Sequence, residues 1–131
     1  MISLGLSMNN GDFVRKALTE LFVKRDVSAL ERYWGSPYLQ HNPGIPDGHE
    51  TLAGIVKTLG PNFKYEIGKI VAEGEFVMVH GRYTGWGPKP MVGVDIFRVK
   101  DNKIVEHWDV LQEEVPASAT KSGRPMFTGT K

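Results

Sequence analysis

Three side chains within Val92–Gln112 have the types and spacing to move protons: Asp95, His107 and Asp109. The stretch, VGVDIFRVKDNKIVEHWDVLQ, predicts two antiparallel strands joined at Lys100-Asp101-Asn102-Lys103, with Asn102 suited to the left-handed position of a short turn. A three-residue loop with a bulge would pair Val99 with Lys103, setting Asp95 opposite His107 and Gly93 opposite Asp109. Side chains alternate along a strand, so Asp95, Phe97, His107, Asp109 and Leu111 would then share one face. A two-residue loop would instead pair Val99 with Ile104 and separate Asp95 from His107. Two carboxylates and an imidazole on an otherwise apolar face are costly to bury without a reason.

Asp109 leads as a general acid/base, against the plainer role of a carboxylate satisfied by a backbone group or an arginine. His107 could orient Asp109, bind a substrate oxygen or act as the base, or it could be a core histidine bonded to Asp95. Asp95 is as well suited to be a structural partner of His107 or Arg82 as to be a catalyst. His41 lies near the end of a short extended segment, Tyr38 to Asn42, and precedes a Pro-rich loop. His80 and Arg82 share one face of their strand and are pocket candidates, while Val77, Val79 and Tyr83 offer the opposite face for packing. Trp34, Trp86, Phe97 and Trp108 could line a pocket or simply pack.

Other chemistries find little support. Four histidines and several carboxylates occur, but no HxH or HExxH spacing, so no metal is expected. No glycine-rich phosphate loop opens a helix, so no nucleotide or other cofactor is expected. A net charge of +1 gives no footprint for nucleic acid or an anionic membrane surface. The absence of cysteine excludes disulfides and thiolate chemistry and fits a reducing cytoplasm. No apolar run is long enough to span a bilayer, and the start, MISLGLSMNN, lacks the features of a secretory signal.

The elements that must position these residues follow from hydrophobic period. The 131 residues suit one domain, with its core at about 11–113 and a polar tail at 115–131 that is mobile unless Met126 and Phe127 dock. Val14, Ala17, Leu18, Leu21 and Phe22 mark a first helix. Ser28 with Glu31 forms a capping-box pattern for a short second helix burying Leu30, Tyr33 and Trp34. Asp47 with Glu50 starts a third, carrying Leu52, Ile55, Val56 and Leu59 and ending at Gly60-Pro61. From Asn62 the period becomes two: Phe63, Tyr65, Ile67 and Val71 alternate, Gly74 turns, and Glu75 to Thr84 follows as a strand. Helices first and an antiparallel meander after them predict an α+β fold. Its curved antiparallel sheet would wrap the N-terminal helices as a cone-shaped barrel with one apolar pocket.

The chain resembles the SnoaL-like polyketide cyclases, within the superfamily sharing the cone-shaped fold of nuclear transport factor two. The resemblance is carried by Tyr38-Leu39-Gln40-His41-Asn42-Pro43, by Asp95-Ile96-Phe97-Arg98, and by Lys103-Ile104-Val105-Glu106-His107-Trp108-Asp109-Val110, with element order matching over roughly 11–113. It implies an apolar pocket with a few acid/base side chains. An Asp would act without a cofactor in aldol-type cyclisation, or in related lyase or isomerase chemistry, on a small apolar carbonyl compound. By the same resemblance His41 would line the pocket, and the subunits would form a homodimer through their sheets. Asp109 also follows Ile104 at the spacing of the catalytic Asp in limonene epoxide hydrolase, with His80 and Arg82 as the nearest stand-ins for that enzyme's other polar groups. Epoxide hydrolysis and a non-catalytic ligand-binding module are therefore the alternatives.

Overall fold

A tight turn sets the register of the sheet. Asp101 and Asn102 both adopt positive φ, 52° and 59°, the geometry of a two-residue hairpin loop. Strand β4 (Met91–Lys100) and strand β5 (Lys103–Glu113) flank it, with Lys100 opposite Lys103 and Val99 opposite Ile104. The three-residue loop is thus corrected to a two-residue one. An uninterrupted ladder from that turn would put Trp108 opposite Asp95. The register instead shifts between Val99 and Arg98, where Val105 is the extra residue, so that Phe97 faces His107 and Asp95 faces Asp109. The bulge thereby restores the shared face of Asp95, Phe97, His107, Asp109 and Leu111, although Asp95 and His107 are diagonal neighbours rather than opposite ones.

The computed structural model describes residues 8–131. The expectation about a secretory signal falls mostly on residues outside that range. Helix α1 (Asn10–Leu18) begins at Asn9, whose side-chain oxygen accepts from the Asp12 N–H at 2.8 Å, and it runs on into a π-helical turn at Thr19–Val23. Helix α2 spans Ala29–Tyr33 and α3 spans His49–Thr58. Ser28 makes no capping bond; its hydroxyl donates to Asp26 and accepts from Arg32. Asp47 likewise leaves α3 to start at Gly48 and accepts instead from the Gln40 N–H at 2.7 Å. Trp34 belongs not to α2 but to strand β1 (Trp34–Gln40).

Strands β2 (Lys64–Glu73) and β3 (Phe76–Thr84) complete a five-stranded sheet in the order β1-β5-β4-β3-β2. Four strands form the expected antiparallel meander. The fifth, β1, pairs parallel with β5, setting Gln40 level with His107. The sheet is curved, and Val77, Val79, Phe97, Val99 and Ile104 on its inner face pack against Val14, Ala17, Leu18 and Leu21, which gives the cone-shaped α+β fold. In β2 the register breaks between Ile67 and Ile70, so Val71 turns outward at 66% exposure and Ile70 takes the inward place beside Gly11.

The tail is docked. A Cβ on Gly68 would lie 2.7 Å from the Phe127 ring, which also leans on His80 at 5.5 Å between centroids. Lys69 Nζ donates to Thr128 at 2.7 Å, and the Val115 N–H points at the Met126 sulfur at 3.2 Å. The tail covers only the outer face, while the core cluster lies within residues 14–104. Truncation after Glu114 is therefore expected to keep a cooperative melt at a lower midpoint. Loss of the cooperative transition in that variant would make the tail part of the folding unit.

Candidate functional site

Strand parity brings the pocket residues together. On β4 and β5 the inward set is Asp95, Phe97, His107, Asp109 and Leu111, and on β1 it is Trp34, Tyr38 and Gln40. Leu18 and Phe22 close one wall from α1 and its π-helical extension. Ile45 in the loop before α3, and Trp86 beyond β3, stand with them, and Trp86 is 45% exposed. The free space between these side chains is about 50 Å³, room for a few waters. A larger ligand requires some of them to move.

The polar cluster is hydrogen-bonded in a defined way. His107 Nδ1 lies 2.6 Å from Gln40 Oε1, and the same oxygen accepts from the Asn42 N–H at 3.0 Å. An oxygen already receiving one N–H is an acceptor, so Nδ1 donates to it. Nε2 then faces Asp95 Oδ1 at 2.8 Å, a contact that needs a proton between the two groups. The Tyr83 hydroxyl donates to the other Asp95 oxygen. Asp109 accepts from the Asn42 side-chain amide at both oxygens, 3.0 and 2.8 Å, and sits 3.8 Å from His107 Nε2. Asp95 and His107 thus share a proton deep in the wall, while Asp109 is held by a neutral amide and has acceptor capacity to spare.

Of the side chains weighed for the pocket, His41, His80, Arg82 and Trp108 lie elsewhere. His41 faces outward, bonded to Glu106 at 2.7 Å and stacked on Trp108. Its hydrogen bond, with Arg98 adding to it, holds the Glu106 carboxyl below its ordinary range. His80 and Arg82 occupy the outer face of β3, because Val77, Val79 and Tyr83 take the inner one; Arg82 pairs with Glu66 and Glu114. Asp95 accordingly partners His107 and not Arg82. Gln40, Asn42, Tyr38, Tyr65 and Tyr83 were missed. Alternation alone points to the first three: a buried Tyr38 puts Gln40 and Asn42 on its own face and His41 on the other.

Asp95, His107 and Asp109 also offer ligand atoms within 4.8 Å of one another, a set that could hold a divalent cation. Each atom is already engaged as described, which suits proton sharing equally well.

Burial sets the phenols apart. It pushes Tyr83 well above the ordinary phenol range, with Asp95 adding to the effect, and it raises Tyr38 and Tyr65 in the same sense. A raised acid adds stability that is fully present below its unfolded value, about 10, and is lost as pH rises through the folded value. These three tyrosines are expected to ionise only as the fold opens. Phenolate absorbance and far-ultraviolet dichroism should then change together in an alkaline titration. Ionisation of all three with the dichroism intact would contradict this.

Comparison with known proteins agrees with the fold. A family model described as the SnoaL-like domain matches residues 14–107. No curated protein matches the chain. Among solved structures, a candidate polyketide cyclase from Acidithiobacillus ferrooxidans is 18% identical at a TM-score of 0.66, covering 82% of this chain and 92% of its own. IdmH from Streptomyces antibioticus, described as a candidate polyketide cyclase, is 21% identical at 0.63, with coverages of 80% and 93%. An NTF2-like protein of unknown function from Cytophaga hutchinsonii is 16% identical at 0.70, with coverages of 83% and 95%. At such identities the likeness is one of fold.

Proposed function

The chain belongs to the SnoaL-like domain family, and from that premise we propose that it is a cofactor-independent acid–base enzyme of the lyase or isomerase type, acting on a small apolar carbonyl compound. Asp109 takes a proton from carbon next to the carbonyl. The enolate then attacks a second carbonyl, whose alkoxide takes the proton back from Asp109, or Asp109 returns the proton to a different carbon; the hydrogen-bonded His107–Asp95 pair supports the developing oxyanion. The observation that carries this is Asp109, with spare acceptor capacity, 3.8 Å from the hydrogen-bonded Asp95–His107 pair in an otherwise apolar pocket. The test is deuterium wash-in at the α-carbon of a panel of ketones in heavy water. Exchange above the buffer rate supports the proposal; buffer-level exchange across a panel that demonstrably binds would remove it.

The mutual satisfaction of Asp95, His107 and Gln40 favours a second reading, a ligand-binding module without turnover. A metabolite retained through purification and seen in native mass spectra, together with no exchange, would establish it. Epoxide hydrolysis is not favoured, since Arg82 faces away from Asp109.

Assembly as a homodimer belongs to the same proposal. Met78, Ile96 and Trp108 are paired across three strands on the outer face, flanked by Phe76 and by Val110, which is 71% exposed. Val92 is already covered at 4% exposure. A stripe of that kind is best covered by a second copy. Sedimentation is expected to give a dimer at micromolar concentration, and a monomer there would count against it. No helix among the described residues is long and apolar enough to cross a membrane. The cytoplasm is the compartment we propose, on the absence of cysteine.

A further inference from the structure

Among the described residues, three buried side-chain atoms make no hydrogen bond: Trp34 Nε1, the Tyr65 hydroxyl and Thr84 Oγ1. Two of the three belong to residues lining the pocket. Folded proteins leave few such groups, because a buried donor facing no acceptor keeps its full desolvation cost. The Tyr38 and Tyr83 hydroxyls lie close enough to Trp34 and Tyr65 for each pair to affect phenol ionisation, but not in bonding geometry. The Tyr83 proton is moreover committed to Asp95.

Neither orphaned group can turn away. The Tyr65 ring is stacked on Tyr83 at 4.6 Å, held edge-on by Phe22, and seated over Gly81, where a Cβ would come within 2.7 Å of it. Trp34 is 2% exposed at the start of β1. An indole N–H can only donate, and Tyr65 has a proton to give. A complementary ligand therefore brings acceptor atoms. It also brings no negative charge, because no lysine or arginine lines the pocket and one imidazole stands against two carboxylates.

We propose that Tyr65 and Trp34 are the specificity residues of this pocket, donating hydrogen bonds to oxygen atoms of an uncharged ligand on an apolar skeleton. This deepens the proposed function and rests on it only in taking the pocket as a ligand site. A site built to bond an oxygen strongly rejects the isostere lacking it, since its own donors are then left unpaired.

The test uses acetophenone, its isostere α-methylstyrene, which carries CH2 in place of oxygen, and the anion benzoate. Affinities are read by tryptophan fluorescence, and the Trp34 indole resonance by nuclear magnetic resonance. Acetophenone is expected to bind about tenfold or more tighter than α-methylstyrene. Benzoate should bind weakest, and only acetophenone should move the Trp34 N–H resonance downfield. Tyr65→Phe and Trp34→Phe should each bring the preference toward unity by weakening acetophenone while sparing α-methylstyrene. Tyr65→Phe should also melt no lower than the parent, since it removes an unpaired hydroxyl; should Trp34→Phe not fold, Tyr65→Phe decides alone. Equal affinity for the two neutral probes would overturn the proposal. So would benzoate as the tightest binder, no binding of any probe at millimolar concentration, or a Tyr65→Phe protein that melts lower with its preference unchanged. Failure of isotope exchange alone removes the chemistry proposed for Asp109 and leaves this binding pattern standing.

Discussion

Asp109→Asn is expected to slow α-carbon isotope exchange by roughly 100-fold or more, the usual scale for a positioned proton-transfer group. The substitution keeps the shape and removes the ionisable oxygen. Its surroundings make the result readable. Asp109 is held by the Asn42 amide, and the nearest imidazole, His107, is 3.8 Å away and already engaged with Asp95. Asn at 109 can still accept from Asn42 through its carbonyl oxygen. No buried charge is left without its partner, so the melting temperature should be unchanged or slightly higher. Binding of a neutral probe should survive, because the pocket volume is nearly constant. A marked fall in melting temperature with unaltered exchange in the folded fraction would make Asp109 a structural anchor and end its assignment as the base.

Much of this arrangement was legible in the chain. The helix faces, the change of period at Asn62 and the meander follow from side-chain repeats, because burial of one face is what those repeats record. The shared face of Asp95, His107 and Asp109 was legible too, although the loop was not. A two-residue turn and a bulge at Val105 shift the ladder by amounts that offset each other in parity, so the right face came from the wrong register. What could not be read are the non-local choices. The parallel pairing of β1 with β5 joins residues 67 apart, such as Gln40 and His107, and no local period encodes it. The placing of His80 and Arg82 turned on which face of β3 the helices would cover, and both faces had plausible packing residues. His41 was placed in the pocket by the family resemblance, when the alternation running on from β1 put its neighbours Gln40 and Asn42 on the inner side.

The second carboxylate separates anchoring from chemistry. Asp95 is 4% exposed and serves two donors, the Tyr83 hydroxyl and the protonated edge of His107. Asp95→Ala strands both in an apolar wall. Removing one member of a buried pair typically costs about 3–5 kcal/mol, and for a chain of this size that is a fall of roughly 10 °C or more in melting temperature. Asp95→Asn should behave otherwise. Its carbonyl oxygen can accept from Tyr83 while its amide donates to the lone pair of a neutral His107, whose Nδ1 still donates to Gln40. Every hydrogen bond is then kept and only the shared proton is lost. Stability should stay within about 1.5 kcal/mol of the parent, the scale of one ordinary hydrogen bond, while isotope exchange falls because His107 no longer carries the proton that supports the oxyanion. Thermal melts and exchange rates of the two variants, measured side by side, distinguish the cases. Equal and mild losses of stability would show that Asp95 anchors nothing. Parent-level exchange in Asp95→Asn would show that the shared proton has no part in the reaction.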